Sequence, residues 1–432
     1  MSTPPSTSTP DPLTGEAAAL PSPAASPDTE RANPYVARVL QEHLVADPDS
    51  RAWISEGTAV FVDVSGFTKL SEQLARKGRE GAEQIADVIG NVFQSLLSMA
   101  YESGGSLVKF GGDALLLWFG GASHTERACR ATVRMRELLG DVGRVELPDT
   151  TITLRMSQGV HSGRFHFFAV GTSHLELLTT GPAWSRLVAM EHGAEADEIL
   201  LSPETAALLP AECADAPKGP GVLLRQEPPG HAEKMTVKPR PEMSAERVVH
   251  CLPPAIRAHV QAGGGIPEHR PVTIAFIRFE GMDALIEQQG EAAATEALHR
   301  LVTAVEAATE ARNVALLASD VDADGGKLIL TAGAPTASGD DEEHMLLALR
   351  GIVDSSVPIP IRIGVHRGSV FAGDIGAIFR RTYTVMGDAV NLTARLMAKA
   401  EPGHVYATAD VLDRSNTLFD VTKLEPFAVK GK

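Results

Sequence analysis

FVDVSGFTKL at residues 61–70 has a counterpart, FIRFEGMDAL, at residues 276–285, and three further blocks repeat in the same order. The first half continues with KFGGDALLLWF (109–119), GVHSG (159–163) and TGPAWSRLVA (180–189), and the second with KLILTAG (327–333), GVHRG (364–368) and MGDAVNLTAR (386–395). Four matching blocks in one order indicate a duplicated domain.

The local pattern around each block predicts an α+β fold. AVFVDV (59–64) is an apolar, β-branched run that ends at a Ser-Gly pair, which predicts a buried strand leading directly into a helix. Residues 81–101 and 291–311 carry apolar side chains at helical spacing. SLVKF and DALLLWF flank the Gly111-Gly112 turn and predict a hairpin. We therefore expect each copy to be a sheet packed with helices, in the order βααββαβ.

Composition divides the chain into four segments. Residues 1–33 are rich in Pro, Ser, Thr and Ala without periodicity, which predicts a disordered tail. We place the first domain at 34–209, a connector interrupted by Pro and Gly at 210–270, and the second domain at 271–432. The chain ends in FAVKGK, where a closing strand is expected, so we predict a truncated second domain and a missing C-terminal region.

Bulk properties exclude several classes of protein. A net charge of -16 argues against a broad nucleic-acid or anionic-membrane surface. No apolar run approaches the roughly 18 residues of a membrane span. The three cysteines, Cys129, Cys213 and Cys251, lack metal-ligand spacing and are predicted to be buried, inert thiols in a reducing cytoplasm.

Two carboxylates of the first copy are candidate metal ligands. Asp63 ends the first predicted strand, and Asp113 follows the hairpin turn. Carboxylates at such points can face one another and share two Mg²⁺ ions, which prefer few protein ligands plus phosphate oxygens. The carbonyl of Val64 is a predicted further ligand. Either aspartate alone would equally suit a solvated strand end.

The helix start after this strand is a candidate phosphate site. SGFT (65–68) places the backbone N–H groups of Gly66, Phe67 and Thr68 where a helix begins, a position that binds anions readily. The alternative for Ser65 is an ordinary helix cap.

The second copy lacks the two carboxylates. In the block alignment Arg278 stands at the place of Asp63, and Thr331 stands at that of Asp113. A cation where a carboxylate should hold magnesium predicts that the second copy binds no metal.

The first copy lacks a different pair of side chains. Ser185 stands at the place of Asn391, and Ala189 stands at that of Arg395. Since each copy has kept what the other lost, we predict one site at the seam of the two domains.

FVDVSGFT, KFGGDALLLWF and YTVMGDAVNLTAR (383–395) resemble the class III nucleotidyl cyclases, and the tandem arrangement is similar to that of the soluble adenylyl cyclases. The resemblance covers residues 50–432. It implies two ferredoxin-like, palm-type cyclase homology domains that pair within one monomeric chain. It also implies that Asp63 and Asp113 hold two Mg²⁺ ions, with Mn²⁺ as a substitute.

The resemblance further implies an adenylate cyclase that converts ATP to 3′,5′-cyclic AMP and pyrophosphate. By that pattern Asn391 orients the ribose and Arg395 stabilises charge at phosphorus. Lys327 and Thr384 read adenine, and Lys430 contacts the triphosphate. Guanylyl cyclases of the family carry an acidic residue where Lys327 stands, so ATP is the favoured substrate.

A second, degenerate pocket is expected by pseudo-symmetry. The block alignment makes Lys109 the repeat partner of Lys327. In related soluble cyclases such a lysine, with an arginine, binds bicarbonate. Here Val188 occupies the register of that arginine and Arg186 lies two positions earlier, so the predicted anion pocket consists of Lys109 and Arg186.

Other readings of these motifs stay open. FGGD (110–113) resembles the turn of diguanylate cyclases, although Ala114-Leu115 replaces the acidic-aromatic ending of that motif. A guanylate cyclase is a further alternative. A chain that binds ATP or an anion without turnover, and controls a C-terminal output region, belongs to another class.

Overall fold

The computed structural model describes residues 27–75, 79–147, 150–230, 235 and 239–425. Lys430 and the FAVKGK ending lie outside these residues. Helix-breaking turns and continuous apolar strands organise the described chain into two sheets, each packed with helices. This arrangement confirms the predicted α+β class.

The first sheet is built from the N-terminal half of the chain. Its strands are β1 (Ala52–Ser65), β2 (Ser106–Gly111), β3 (Ala114–Gly120), β6 (Arg155–Val170), β7 (Glu176–Thr179), β8 (Ile199–Leu201), β9 (Ala214–Lys218) and β10 (Gly221–Leu224), while β4 (Arg144–Leu147) and β5 (Thr150–Thr153) pair separately. The order is β2-β3-β1-β6-β8-β10-β9, with β7 also paired to β6. All pairs are antiparallel except β6 with β8.

The second sheet repeats this plan in the C-terminal half. Its strands are β11 (Glu268–Glu280), β12 (Ala315–Asp322), β13 (Gly325–Ala332), β14 (Ile361–Ala377), β15 (Arg380–Met386) and β16 (Val405–Ala407). The order is β12-β13-β11-β14-β15, and β16 pairs in parallel with β14 as β8 does with β6. The two halves therefore share strand order and strand direction around their long central strands.

Helices cover both sheets. They are α1 (Pro27–Ala32), α2 (Arg38–Ala46), α3 (Phe67–Ala75), α4 (Arg79–Glu102), α5 (His124–Val142), α6 (Pro182–Gly193), α7 (Pro203–Ala207), α8 (Ala245–His250), α9 (Pro254–Gln261), α10 (Met282–Glu310), α11 (Asp341–Asp354), α12 (Asp388–Lys399) and α13 (Ala409–Leu412), with 3₁₀ turns at Asn33–Tyr35 and Ala211–Cys213. None of these described helices is long and apolar enough to cross a membrane.

The apolar faces predicted for the two long helices lie in the core. On α4, Ile85 and Phe93 are fully buried against the first sheet, and on α10, Leu298 and Val302 are fully buried against the second. Burial of such a side chain contributes about 1.5–3 kcal/mol. These faces hold each helix in the core of its half.

On one long strand of each sheet, β6 and β14, a glycine permits close packing of a helix. A Cβ at Gly159 would lie 2.3 Å from the backbone nitrogen of Glu191 on α6, and a Cβ at Gly364 would lie 2.3 Å from that of Met397 on α12. Only glycine allows this approach. Helices α6 and α12 are thus held in equivalent places, and α12 carries Asn391 and Arg395.

The two halves pack directly against one another through β14 and β15. A Cβ at Gly376 would lie 2.7 Å from the ring of Phe110, at the end of β2. Arg380 is buried and donates from Nη2 to the carbonyl of Val108 at 3.1 Å and from Nη1 to the carbonyl of Tyr35 at 3.0 Å. These bonds join the second sheet to β2 and to the N-terminal segment.

Several boundaries differ from those expected. Pro27–Ala32 forms α1, inside the predicted disordered tail, because Thr29 and Ala32 are buried. The first sheet extends beyond residue 209 to Leu224, because β10 pairs with β8. The predicted connector contains α8 and α9, because apolar residues of both helices pack in the core despite the nearby Pro and Gly residues. Strands β4 and β7 were not anticipated.

Candidate active site

The end of β1 and the turn between β2 and β3 bring Asp63 and Asp113 to one edge of the first sheet. Asp63 lies opposite Ala114, the residue that follows Asp113. The backbone N–H of Val64 donates to the carbonyl of Asp113 at 3.3 Å. The turn needs Gly112, whose φ is +72°, a conformation that favours glycine.

The two carboxylates lie in an environment that disfavours negative charge. Burial raises the pKa of Asp113 to about 7, and the charge of Asp63 adds to the effect. Burial also raises the pKa of Asp63, against an opposing effect of His192 and with a further rise from Asp320. Buried carboxylates held close together are the pattern expected of a cation site.

This donor set fits magnesium better than a metal held mainly by protein. Among the described residues no group of three or more His, Cys, Asp or Glu is arranged to hold an ion. Mg²⁺ commonly takes one or two carboxylates and completes its shell with water and substrate phosphates. Val64 is fully buried and pairs with Met156, and the role of its carbonyl stays a prediction.

The predicted phosphate site lies immediately after β1. Gly66 has a φ of +110°, and α3 begins at Phe67, with Thr68 in its first turn. The ring of Phe67 is buried against Phe93, with the ring centroids 5.6 Å apart, so only its backbone could meet a ligand. The backbone N–H groups at the start of α3 suit an anion.

Lys327 projects from the second sheet into this region. Its Nζ lies 3.6 Å from Asp320 Oδ2 and 3.9 Å from Asp322 Oδ2. Burial disfavours the ammonium ion, but both carboxylates outweigh burial and raise the pKa of Lys327. A Cβ at Gly111 would lie 3.1 Å from Asp320 Oδ2, so the hairpin that carries Asp113 meets the hairpin that carries Lys327.

Glu191 is a member of this group that sequence reasoning missed. Its Oε1 accepts a hydrogen bond from Ser157 Oγ at 3.2 Å, and Ser157 lies opposite Asp63. Burial raises the pKa of Glu191 to about 7, Asp63 adds to the rise, and Lys327 opposes it. The repeat position is occupied by the apolar Met397, so the block alignment drew no attention to it.

The remaining predicted residues lie on the strand and helix that follow in the second half. Thr384 lies on β15 opposite Gly373 and is 9% exposed. Asn391 and Arg395 are half-buried in α12, which begins after Gly387. The structure thus assembles the carboxylates with Lys327 and places Asn391 and Arg395 on a neighbouring element.

The strand register corrects the assignment of Lys109 as the repeat partner of Lys327. Lys109 on β2 lies opposite Leu116, which lies opposite Phe61. In the second sheet Phe276 is the counterpart of Phe61, and Phe276 lies opposite Ile329 on β13. Ile329 in turn lies opposite Ala318 on β12. Ala318 is therefore the partner of Lys109, while Lys327 comes from the outgoing strand, β13.

The register also corrects the place of Thr331. Asp63 lies opposite Ala114, whereas its counterpart Arg278 lies opposite Lys327. Gly326, not Thr331, therefore corresponds to Asp113. The β12–β13 hairpin continues two residues further on each strand before it turns at residues 323–324, and the block alignment took no account of that extension.

Lys109 and Arg186, the residues of the predicted anion pocket, each contact other residues in the structure. Lys109 is 8% exposed and contacts Glu176 and Ser319. Arg186 lies at the surface, where Nη1 donates to Glu204 Oε1 at 2.8 Å. Arg186 points to solvent because its position on α6 is one residue before the buried Leu187-Val188 face.

Comparison with known proteins agrees with this architecture. Residues 53–222 and 266–432 each match the family described as adenylate and guanylate cyclase catalytic domain, and the chain belongs to that family. The double match confirms the duplication.

The chain is similar to human adenylate cyclase type 10, with 24% identity over 404 residues that cover 84% of this chain and 25% of that protein. It therefore spans about a quarter of the length of the curated relatives it matches. An uncharacterized Mycobacterium tuberculosis protein is 31% identical over 172 residues, which cover 37% of this chain and 29% of that protein.

Among solved structures, a class III adenylyl cyclase-like ATP-binding protein from Pseudomonas aeruginosa superposes with a TM-score of 0.62 at 11% identity. The match covers 88% of this chain and 92% of that chain. At this identity it supports the paired-domain fold alone.

Proposed function

We propose that the chain is an adenylate cyclase that converts ATP to 3′,5′-cyclic AMP and pyrophosphate at one site between its halves. The observation that carries the proposal is the meeting of two hairpins. Asp63 and Asp113, present only in the first copy, lie beside the Asp320–Lys327 hairpin of the second. We further propose that the first domain supplies metal binding, and that the second supplies base recognition and transition-state stabilisation.

In this proposal Asp63 and Asp113 hold two Mg²⁺ ions, which would neutralise triphosphate charge and favour ionisation of the ribose 3′ hydroxyl. The 3′ oxygen forms a bond to the α-phosphorus, the bond to the bridging oxygen breaks, and pyrophosphate leaves with that electron pair. The hydroxyl proton passes to solvent. The N–H groups at the start of α3 would hold the phosphates, and Lys430 would be a further contact.

The second half would orient the nucleoside. Lys327 would donate a hydrogen bond to the purine edge, and Thr384 would accept one from it. Asn391 would hold the ribose. Arg395 would stabilise charge at the α-phosphate, a contribution of roughly 3–4 kcal/mol for one preorganised donor. A base with a different arrangement of hydrogen-bond donors and acceptors would leave buried polar groups of the site unpaired, so we expect ATP to be preferred to GTP.

A product assay tests this proposal. Purified chain is incubated with Mg²⁺ or Mn²⁺ and with ATP or GTP, and products are identified by mass. Cyclic AMP is expected, and its loss in Asp63→Asn is expected. Asp87→Asn, at an exposed position of α4, is the matched control and should retain activity. Cyclic GMP or a cyclic dinucleotide would instead support the other cyclase readings.

Nucleotide binding without turnover is the second candidate. It is favoured by the similarity of the paired domains to a class III adenylyl cyclase-like ATP-binding protein from Pseudomonas aeruginosa. Binding of ATP by calorimetry with no product under either metal would establish it.

Activation by bicarbonate stays a prediction. Its test is the rate with and without bicarbonate at fixed pH, and an unchanged rate would contradict it.

A further inference from the structure

A row of buried charged and polar side chains crosses the seam between the two halves. It runs from Glu306 on α10 to His174, then to Glu176 at the start of β7, to Lys109 on β2 and to Ser319 on β12. All five are at most 8% exposed, and His174 is fully buried. Beside it lies a cavity of about 100 Å³ whose lining includes Lys109, Glu176 and Ser319.

The contacts in this row are close and continuous. His174 Nδ1 lies 3.0 Å from Glu306 Oε1, and its Nε2 lies 3.0 Å from Glu176 Oε2. Lys109 Nζ donates to Glu176 Oε1 at 3.4 Å and to the carbonyl of Ser319 at 3.2 Å, and it also contacts Ser319 Oγ. Glu306 and Ser319 belong to the second half, whereas the other three belong to the first.

Acidic and basic groups alternate along the row, and although burial lowers the pKa of Lys109, Glu176 opposes that effect. Burial disfavours the imidazolium ion, but Glu176 and Glu306 outweigh burial and raise the pKa of His174 to about 9. Burial alone would raise the pKa of Glu176, yet Lys109 and His174 lower it to about 2. An unpaired buried ion would be strongly destabilising, so each member depends on the next.

The row ends where the two hairpins of the proposed active site meet. Lys109 lies four residues before Asp113 along the β2–β3 hairpin, and Ser319 directly precedes Asp320, which pairs with Lys327. We propose that Lys109 is a positioning residue that holds the Asp113 hairpin in register with the Asp320–Lys327 hairpin. This inference rests on the proposed function of that site.

The geometry favours an internal link, the contacts of Lys109 with Glu176 and Ser319 (here called the tie), over a site for an external anion. A lysine ammonium has three donors, and Lys109 has three acceptors in Glu176 Oε1 and the two oxygens of Ser319. The carboxylate of Glu176 already supplies the negative charge that a bound anion would bring.

The main test is the double variant Lys109→Met/Glu176→Gln, which removes the tie without leaving an unpaired charge between these two residues. Since a misplacement of about 1 Å can reduce rates 100-fold, we expect kcat to fall roughly 10- to 100-fold. We also expect a higher Mg²⁺ requirement and little change in KM for ATP. The matched control is Lys218→Met/Glu198→Gln, the same exchange at a partly exposed ion pair.

Unchanged kcat and Mg²⁺ requirement in the double variant would overturn the proposal. So would bicarbonate acceleration of the wild type that is lost in Lys109→Met, because Lys109 would then bind an external anion. If the double variant does not fold, Ser319→Ala removes one acceptor with little loss of volume. For Ser319→Ala we expect a lower kcat and a higher Mg²⁺ requirement. Wild-type values of both would contradict the proposed positioning role of Lys109.

A binding measurement separates failure of this inference from failure of the proposed function. Mn²⁺ titration followed by electron paramagnetic resonance reports the carboxylate hairpin without turnover. Weaker Mn²⁺ binding in the double variant is expected even if the wild type forms no cyclic nucleotide. Equal Mn²⁺ affinity in an active enzyme would refute the positioning role alone.

Discussion

Replacing Asp113 by Asn should stabilise the metal-free protein while removing a proposed metal ligand. The pKa of Asp113 is raised from 3.8 to about 7 by burial and by Asp63. At about 1.4 kcal/mol for each tenfold change in proton affinity, that difference corresponds to a ceiling of about 4 kcal/mol. Because Asp113 keeps some contact with solvent, we expect roughly 2–4 kcal/mol at pH 8.

The pH dependence has a definite direction. Between about pH 4 and pH 7 the unfolded chain binds fewer protons at this position than the folded chain, so wild-type stability falls as pH rises through that window. Above pH 7 the loss is complete. Asn has no proton to lose, so the advantage of Asp113→Asn should grow from pH 5 to pH 8.

Urea unfolding in EDTA at pH 5 and pH 8 measures this difference, with Asp87→Asn as the exposed control. Added Mg²⁺ should stabilise the wild type more than Asp113→Asn, because binding to the folded state shifts unfolding by mass action. A variant that is less stable than the wild type in EDTA at pH 8, or a stability difference that does not change with pH, would refute the reasoning.

Three further outcomes are expected. Gly376→Ala should lower the free energy of unfolding in urea by about 2 kcal/mol or more, because Gly376 has a φ of +107° and a Cβ would lie 2.7 Å from the ring of Phe110. Wild-type stability would show that the interface between the two halves can adjust at this position. Arg395→Ala should reduce kcat roughly 100-fold with a smaller change in KM, whereas an unchanged kcat would place Arg395 outside the transition state. Burial raises the pKa of Cys129, and that of Cys251 to about 12, so a thiol reagent should label both only after unfolding; fast labelling of the native chain would contradict this.

The parts of the fold that could be predicted from sequence are those with local signals. The Gly111-Gly112 turn between two apolar runs predicted β2 and β3, and helical spacing of apolar residues predicted the buried face of α4. The repeated blocks predicted two sheets of one plan. Asp63 and Asp113 could be paired in advance because a strand end and a neighbouring hairpin turn lie at the same sheet edge.

The parts that could not be predicted depend on contacts between distant residues. The length of the β12–β13 hairpin relative to the β2–β3 hairpin is shown by its register with β11, a pairing that matching of sequence blocks does not reveal. Lys109 and Ser319 are 210 residues apart in sequence. Glu191 joins the site only through its packing on Gly159 and its bond with Ser157.

Electrostatics explains why the duplicated halves would support one metal site and not two. In the first copy, Asp63 and Asp113 lie together where burial disfavours their negative charges, and burial is the main cause of their raised pKa values. In the second copy, Arg278 occupies the place of Asp63, and its Nε lies 3.5 Å from Asp322. A guanidinium ion there supplies internally the positive charge that the first copy must take from solution. Because a cation is already fixed in the second copy, a divalent ion would gain little attraction and meet direct repulsion. In the proposed function, the same substitution would therefore favour binding of the metal, and with it the nucleotide phosphates, in the first half.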